Sequence, residues 1–197
     1  MRRNVSVQVI TRIAVLTALA SILFLIEIPV VAFYKLDLSN LPVLLGAFSM
    51  GPVAGTVILA LKSLIGMLHS TSMYVGELAD FMMGAAMIVP AAVVYRVKKT
   101  RGRALTGMVI GTVLMAAVGV IVNKYIMIPF YMNAYGMPME AVIGMASAAL
   151  PFVDTEWELL LFVTAPFNLL KGIVLSALTF LLYKRLSPLL HVKGDKR

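Results

Sequence analysis

Val43-Leu44-Leu45-Gly46-Ala47-Phe48-Ser49-Met50-Gly51-Pro52-Val53-Ala54-Gly55 begins an apolar run that extends to Leu68, and the topology turns on whether that run is one helix or two. Proline lacks a backbone donor, disfavours a helical residue before it and suits the first turn of a helix, so a break at Gly51-Pro52 is favoured locally. Parity favours it as well. Upstream, Arg2, Arg3 and Arg12 precede an uncharged run from Ile13 to Ile26, and the hydrophobic character continues to Phe33. Ala18-Leu19-Ala20 resembles a signal-peptide cleavage site, but cleavage there would leave an apolar core of only about seven residues. The segment is therefore expected to be a retained first helix, running from cytoplasm to outside, with Tyr34–Pro42 as a polar outer loop.

Further helices are expected over 74–97, 105–130 and from about Trp157 to Tyr183. The strongest basic cluster, Arg96-Val97-Lys98-Lys99-Thr100-Arg101-Gly102-Arg103, lies between two of them. A single span over 43–68 would put this cluster outside, against the positive-inside rule. A cytoplasmic turn at Gly51-Pro52 returns it to the cytoplasm with Lys184, Arg185, Lys193, Lys196 and Arg197. The expected fold is thus an all-α integral membrane protein of six transmembrane helices with both termini cytoplasmic. It forms a single membrane domain over 1–197, closed by a basic cytoplasmic tail at 187–197. A helix over 42–50 rises only about 14 Å, less than half a bilayer core, which is tolerable where protein surrounds it.

Composition sets the same frame. Of 197 residues 61% are hydrophobic and 13% charged, against roughly 45–50% and about 25% in soluble domains, which excludes a soluble globular protein. The net charge of +8 is scattered in short clusters without a recognition motif, so helix ends under the positive-inside rule explain it better than nucleic acid does. The absence of cysteine excludes disulfides, thiolate nucleophiles and Cys-ligated metals. His69 and His191 are expected on opposite membrane sides and cannot share a metal. No Walker phosphate loop and no inverted repeat is evident, so neither ATP hydrolysis nor self-sufficient secondary transport is read from the chain.

Polar residues inside apolar spans are expensive and mark functional sites. Glu77 and Asp80 share a face of the fourth helix. Asn123-Lys124 sits inside the fifth, Lys62 in the third, and Asn168 and Lys171 are three apart in the last. Lys62 and Lys124 are candidates to snorkel or to pair with Asp80 or Glu77. Glu27 reads as an outer-interface residue, and Trp157, Tyr34, Tyr131 and Tyr135 as an interfacial belt. Lys171 lies roughly 20 Å along its helix from Trp157 with no acid within two turns. A buried lysine must find an acceptor or lose its charge, and a polar ligand would supply one. In a purely structural membrane protein, protein groups alone would pair it. Ala14-Val15-Leu16-Thr17-Ala18 is a small-xxx-small pattern that lets another helix approach closely.

These features together resemble the substrate-binding S subunits of energy-coupling factor (ECF) vitamin transporters, and the riboflavin-specific members most. The resemblance rests on Lys35-Leu36-Asp37-Leu38-Ser39-Asn40-Leu41-Pro42, Phe48-Ser49-Met50-Gly51-Pro52-Val53-Ala54-Gly55, Gly76-Glu77-Leu78-Ala79-Asp80-Phe81, Asn123 before Tyr125, and Pro166-Phe167-Asn168-Leu169-Leu170-Lys171-Gly172-Ile173. It covers about residues 5–186. It implies a six-helix subunit that binds riboflavin as transported substrate, with its phosphate ester FMN as a second candidate, and no resident cofactor. The implied partners are a transmembrane T subunit and two cytoplasmic ATPases in the cell membrane. Positions matching Asn123, Asn168 and Lys171 are implied to hydrogen-bond the ligand, with Glu77 and Asp80 at the same corner. The first outer loop, with Leu36, Asp37 and Leu41, is implied to cover it, and Ala14 and Ala18 to contact the T subunit. The chain departs from the pattern at Asp80 and Ser63, where the family commonly has Asn; a carboxylate at 80 brings an ion pair with Lys62 into reach.

The chemistry suits the ligand independently. A flat three-ring system with imide and ring-nitrogen groups requires an apolar slot with a few convergent amides and a cation. The alternatives are an S subunit for thiamine, biotin or pantothenate and, from another class, a small membrane enzyme using Glu77 and Asp80 as an acid/base pair.

Overall fold

The computed structural model describes residues 7–31 and 34–190. Arg2, Arg3, Phe33, His191, Lys193, Lys196 and Arg197, and with them 191–197 of the expected tail, lie outside the described residues. Helix α1 (Val7–Phe24) is followed by a short hairpin, β1 (Ile28–Val31) and β2 (Tyr34–Leu36), then α2 (Asn40–Met50), α3 (Pro52–Met67), α4 (Val75–Val97) and α5 (Arg101–Val122). A π-helical turn, Asn123–Met127, carries α5 into α6 (Ile128–Ala134). Helix α7 (Met139–Ser147) follows, then the single turn α8 (Glu156–Glu158), a second π-helical stretch (Leu159–Thr164) and α9 (Ala165–Leu190). Four helical runs are long and apolar enough to cross a membrane (7–24, 75–97, 101–134 and 156–183), and α2 and α3 are shorter apolar helices.

The apolar run breaks where expected. Gly51 has φ +102° and ψ 169°, a conformation open to glycine and strained for other residues, and Pro52 takes the first turn of α3. Helix α2 tolerates its shortness because Asn40 through Phe48 are all buried by the surrounding helices. One expectation needs correction. The first helix ends at Phe24 rather than continuing towards Phe33, because Pro29 lacks a donor and the β-branched Ile28, Val30 and Val31 favour extended backbone. The membrane fold remains all-α in class, and β1 and β2 add a short antiparallel pair, with Ile28 opposite Leu36.

The two π-helical stretches share a cause visible in the sequence. Pro129 and Pro166 each lack an N–H and crowd the carbonyl four residues back, at Tyr125 and Phe162, and both of those residues lie in the π turns. The chain answers by widening. Ile128 N–H donates to Asn123 O, and Ala165 N–H to Leu160 O, one residue further than in an α-helix.

Helices α4 and α5 pack backbone to backbone. A Cβ on Gly111 would lie 2.3 Å from Met87 O, and one on Gly107 2.7 Å from Ala91 O, a glycine-xxx-glycine approach that admits no side chain. Gly111→Val should therefore lower stability by about 1–3 kcal/mol, measured as the thermal unfolding midpoint in detergent. An unchanged midpoint would show that the two helices part without cost.

Candidate functional site

A cavity of about 190 Å³ lies at the end of the molecule where α1 finishes and α4 begins. Its walls come from the hairpin region (Glu27, Tyr34, Lys35, Asp37), from α4 (Gly76, Glu77, Ala79, Asp80, Met83) and from the two helical runs with π turns (Asn123, Met127, Tyr131, Phe167, Asn168, Lys171), closed by Phe24, Thr71 and Ser72. Most of the residues singled out in the sequence thus converge, Asp37 and Lys171 among them from 134 positions apart. Leu36 and Leu41 do not line it: Leu36 is half-buried on the hairpin, and Leu41 packs into the hydrophobic core.

Four buried charges meet beside this cavity. Lys62 Nζ donates to Asp80 Oδ2 at 2.6 Å, Ser39 Oγ at 2.8 Å and Asn40 Oδ1 at 3.0 Å, which uses all three protons of its ammonium group. The carboxylate at position 80 therefore forms the ion pair anticipated for it. Lys171 Nζ donates to Asp37 Oδ2 at 2.7 Å and to Asp80 Oδ1 at 3.4 Å. This corrects the expectation that Lys171 needs an outside acceptor: protein groups meet its charge, one of them across 134 residues of sequence. Two bonds leave one ammonium proton, and Lys171, unlike Lys62, lines the cavity.

Asp37 is positioned by a local turn. Ser39 N–H donates to Asp37 Oδ1 at 2.9 Å, and Ser39 Oγ donates to the same oxygen, an Asx-type turn that Asp-x-Ser forms readily. Burial pushes the Asp37 carboxyl up, but the charges of Lys171 and Lys62, with hydrogen bonds from Lys171 and Ser39, outweigh this and hold it down at about 2. Its contribution to stability is thus complete above the ordinary carboxylate range and is lost only as pH falls towards 2.

The asparagines differ. Asn123 is satisfied, since Nδ2 donates to Gly119 O at 2.8 Å and Oδ1 accepts from Tyr34 O–H at 3.1 Å. Asn168 Nδ2 donates to Thr164 O at 2.9 Å, whereas its buried Oδ1 has no hydrogen-bond partner among the described residues. An acceptor of that kind in a cavity wall fits a ligand donor.

Tyr34 was expected in an interfacial belt and is instead buried, bonded through its hydroxyl to Asn123 and Thr164 and tilted against Phe167 with ring centroids 5.0 Å apart. Sequence reading missed Tyr34 and Thr164 as site residues; the tyrosine's place directly before the Lys35–Pro42 motif was the available signal. Glu77 accepts from Ser70 Oγ at 2.8 Å and Ser72 Oγ at 3.2 Å, fixing the loop before α4. Glu77 and Asp80 are thus held by different partners, which removes the basis for an acid/base pair. Lys124 pairs with neither acid: its Nζ lies 3.5 Å from the ring centroid of Trp157. Glu27, at the rim, forms an exposed ion pair with Lys35 at 2.5 Å. Away from the cavity, Ala14 and Ala18 lie exposed on α1, whose Leu16, Thr17 and Ala20 face the protein.

Comparison with known proteins follows the same lines. Residues 8–183 match the family model "ECF transporter, substrate-specific component". The chain is 32% identical to "Riboflavin transporter RibU" of Staphylococcus aureus (strain TCH60), over 96% of this chain and 97% of that protein. It is 24% identical to "Riboflavin transporter FmnP" of Bacillus subtilis (strain 168), over 89% and 90%. A solved structure described as "Structure and mechanism of the S component of a bacterial ECF transporter" superposes with a TM-score of 0.72 at 32% identity, covering 96% of this chain and 98% of that one. The chain is therefore a transporter component and not an enzyme, and it belongs to the family of ECF transporter substrate-specific components.

Proposed function

We propose that this chain binds riboflavin at the cavity beside Asn168 and Lys171 and serves its uptake across the cell membrane, together with an ECF T subunit and two ATPases. The observation that carries this reading is the convergence of an unpartnered acceptor, Asn168 Oδ1, and a spare ammonium proton, on Lys171, in one cavity walled by Tyr34, Phe167, Met83 and Met127. An aromatic slot with a few polar groups suits a flat heterocycle whose edge carries both donors and acceptors. The names of the relatives support the same ligand.

Six membrane spans with both termini cytoplasmic fit the alternation of α1, α2, α3, α4, the α5 run and α9. In this arrangement Gly51 lies near the Arg96 guanidinium, which gathers the basic segments at the end opposite the cavity. The cavity's volume of about 190 Å³ is below the roughly 300 Å³ at which small-molecule sites begin. The cavity is open at its mouth, and the spare proton of Lys171 is available to a ligand without breaking the Asp37–Lys171 bond.

The test is an absorbance spectrum from about 300 to 550 nm of protein purified in detergent from riboflavin-replete cells. Stoichiometric flavin bands are expected. A flat spectrum that persists after riboflavin is added and gel filtration is repeated would reject the ligand, and a melting shift with thiamine, biotin or pantothenate would then identify another vitamin.

The exposed alanines of α1 carry a separate expectation. Ala18→Trp should abolish uptake by the complete transporter and leave flavin binding by the isolated chain unchanged, because it removes close approach by a partner helix without touching the cavity. Retained uptake would exclude this face as the T-subunit contact.

A further inference from the structure

The cavity wall carries four carboxylates, on Glu27, Asp37, Glu77 and Asp80, and three of them are matched by lysines. Asp37 pairs with Lys171 at 2.7 Å, Asp80 with Lys62 at 2.6 Å and Glu27 with Lys35 at 2.5 Å. Glu77 is the fourth. It is buried, and no ammonium or guanidinium group pairs with it among the described residues. Its hydrogen bonds come from the hydroxyls of Ser70 and Ser72, and both fall on Oε2. Oε1 is thus left without a donor among the described residues, on a side chain that lines the cavity.

These pairings decide what the cavity offers a ligand. Lys171 has a proton to spare, but its charge is already met by Asp37 and Asp80, so an anion entering beside it finds no net positive charge. Across the whole site three lysines face four carboxylates, and the unmatched charge sits on Glu77, in the first turn of α4 and one turn nearer the mouth than Asp80. A ligand hydroxyl placed there donates to a carboxylate oxygen in a charge-assisted hydrogen bond. A phosphate placed there is a like charge at short range in a partly desolvated site. The two acceptors that the protein leaves open, Asn168 Oδ1 and Glu77 Oε1, both call for donors from the ligand.

We propose, resting on the riboflavin reading of this cavity, that Glu77 makes it select an uncharged, hydroxylated flavin over the phosphate ester: Oε1 accepts from a hydroxyl of the ligand's side chain, and the carboxylate excludes a phosphate from the same place. The charge of the substrate is thereby set by a different residue from those that hold its ring.

The test is the dissociation constant of the purified full chain, read from quenching of flavin fluorescence, for riboflavin, FMN and the acetate ester of riboflavin at the hydroxyl that FMN phosphorylates, an uncharged ester of comparable bulk. FMN is expected to bind at least about tenfold more weakly than riboflavin and at least about fivefold more weakly than the acetate. Glu77→Gln keeps an oxygen acceptor and removes the charge, and should narrow the gap between riboflavin and FMN to within about threefold, chiefly through tighter binding of FMN. Glu77→Asp keeps the charge and should keep FMN excluded. Ser70→Ala with Ser72→Ala releases the loop but leaves the carboxylate, and should retain most of the preference; a collapse equal to that in Glu77→Gln would assign the selectivity to the loop and overturn the proposal. Should Glu77→Gln fail to fold, the comparison of FMN with the acetate in the parent chain still separates charge from bulk. Equal affinities for riboflavin and FMN, or an acetate bound as weakly as FMN, would overturn the proposal, as would a Glu77→Gln variant that keeps the parent's preference. Binding of none of the three flavins would reject the riboflavin reading itself, and the proposal with it.

Discussion

Lys171→Met should weaken riboflavin binding by at least about tenfold, the loss expected for one hydrogen bond from a charged donor, read as the dissociation constant from quenching of flavin fluorescence. The ammonium group spends two of its three donors on Asp37 and Asp80 and lines the cavity with the third. Because protein groups meet its charge, Lys171 could in principle serve only to tie the loop to α9, and a variant at this position alone does not separate the two roles. Asp37→Asn does. It keeps a hydrogen-bonding side chain against Lys171, retains the ammonium group and weakens only the tie. If Lys171 contacts the ligand, Asp37→Asn should leave affinity close to that of the parent chain, while Lys171→Met loses it. Asn168→Ala should fall with Lys171→Met by a similar factor, since the unpartnered Oδ1 is removed. Unchanged affinity in both Lys171→Met and Asn168→Ala would reject the site; equal losses in Lys171→Met and Asp37→Asn would reduce Lys171 to a tether.

The second large effect concerns stability rather than binding. Lys62 is fully buried, its three donors engaged by Asp80, Ser39 and Asn40. Lys62→Met should destabilise the protein by about 3–5 kcal/mol, because it leaves a buried carboxylate short of counter-charge. Two lysines and two aspartates balance in this cluster, so the remaining excess is one negative charge over Lys171. Adding Asp80→Asn to Lys62→Met restores neutrality around the Asp37–Lys171 pair and should recover more than half of the loss. Unfolding midpoints of the two variants and the parent in mixed micelles check this. A single variant within about 1 kcal/mol of the parent, or a double variant no better than the single, would show that the cluster's charge balance does not govern stability.

The aspartate at position 80 is central to both results. Its two oxygens are divided between the lysines, Oδ2 to Lys62 and Oδ1 to Lys171, so it couples a structural cation on α3 to a cavity cation on α9. An asparagine at this position would offer one acceptor oxygen in place of two and no charge.

Much of the architecture was legible in the chain itself. The break at Gly51-Pro52, the four long apolar runs and the basic segment at 96–103 follow from properties of single residues and their neighbours: a missing backbone donor, a sterically open φ, and the cost of charge in hydrocarbon. The widened turns around Asn123 and before Asn168 are equally local, each answering a proline, although the sequence reading passed over that signal. The same holds for Gly107 and Gly111, whose spacing is plain in the sequence while the backbone they admit, Ala91 and Met87, is not.

What the sequence determined alone is thus the membrane character, the helix breaks, the set of costly polar residues and, through their motifs, the family. Only the tertiary structure decided how those residues pair. Lys171 finds Asp37 across 134 positions, Lys62 finds Asp80 and the Ser39–Asn40 corner, and Tyr34 leaves the interface to bond Asn123. The physical reason is that a buried charge dictates that it must be met, since desolvation costs far more than folding can leave uncompensated, but not by which of several distant partners. That choice depends on which helix faces the packed bundle brings within hydrogen-bond distance.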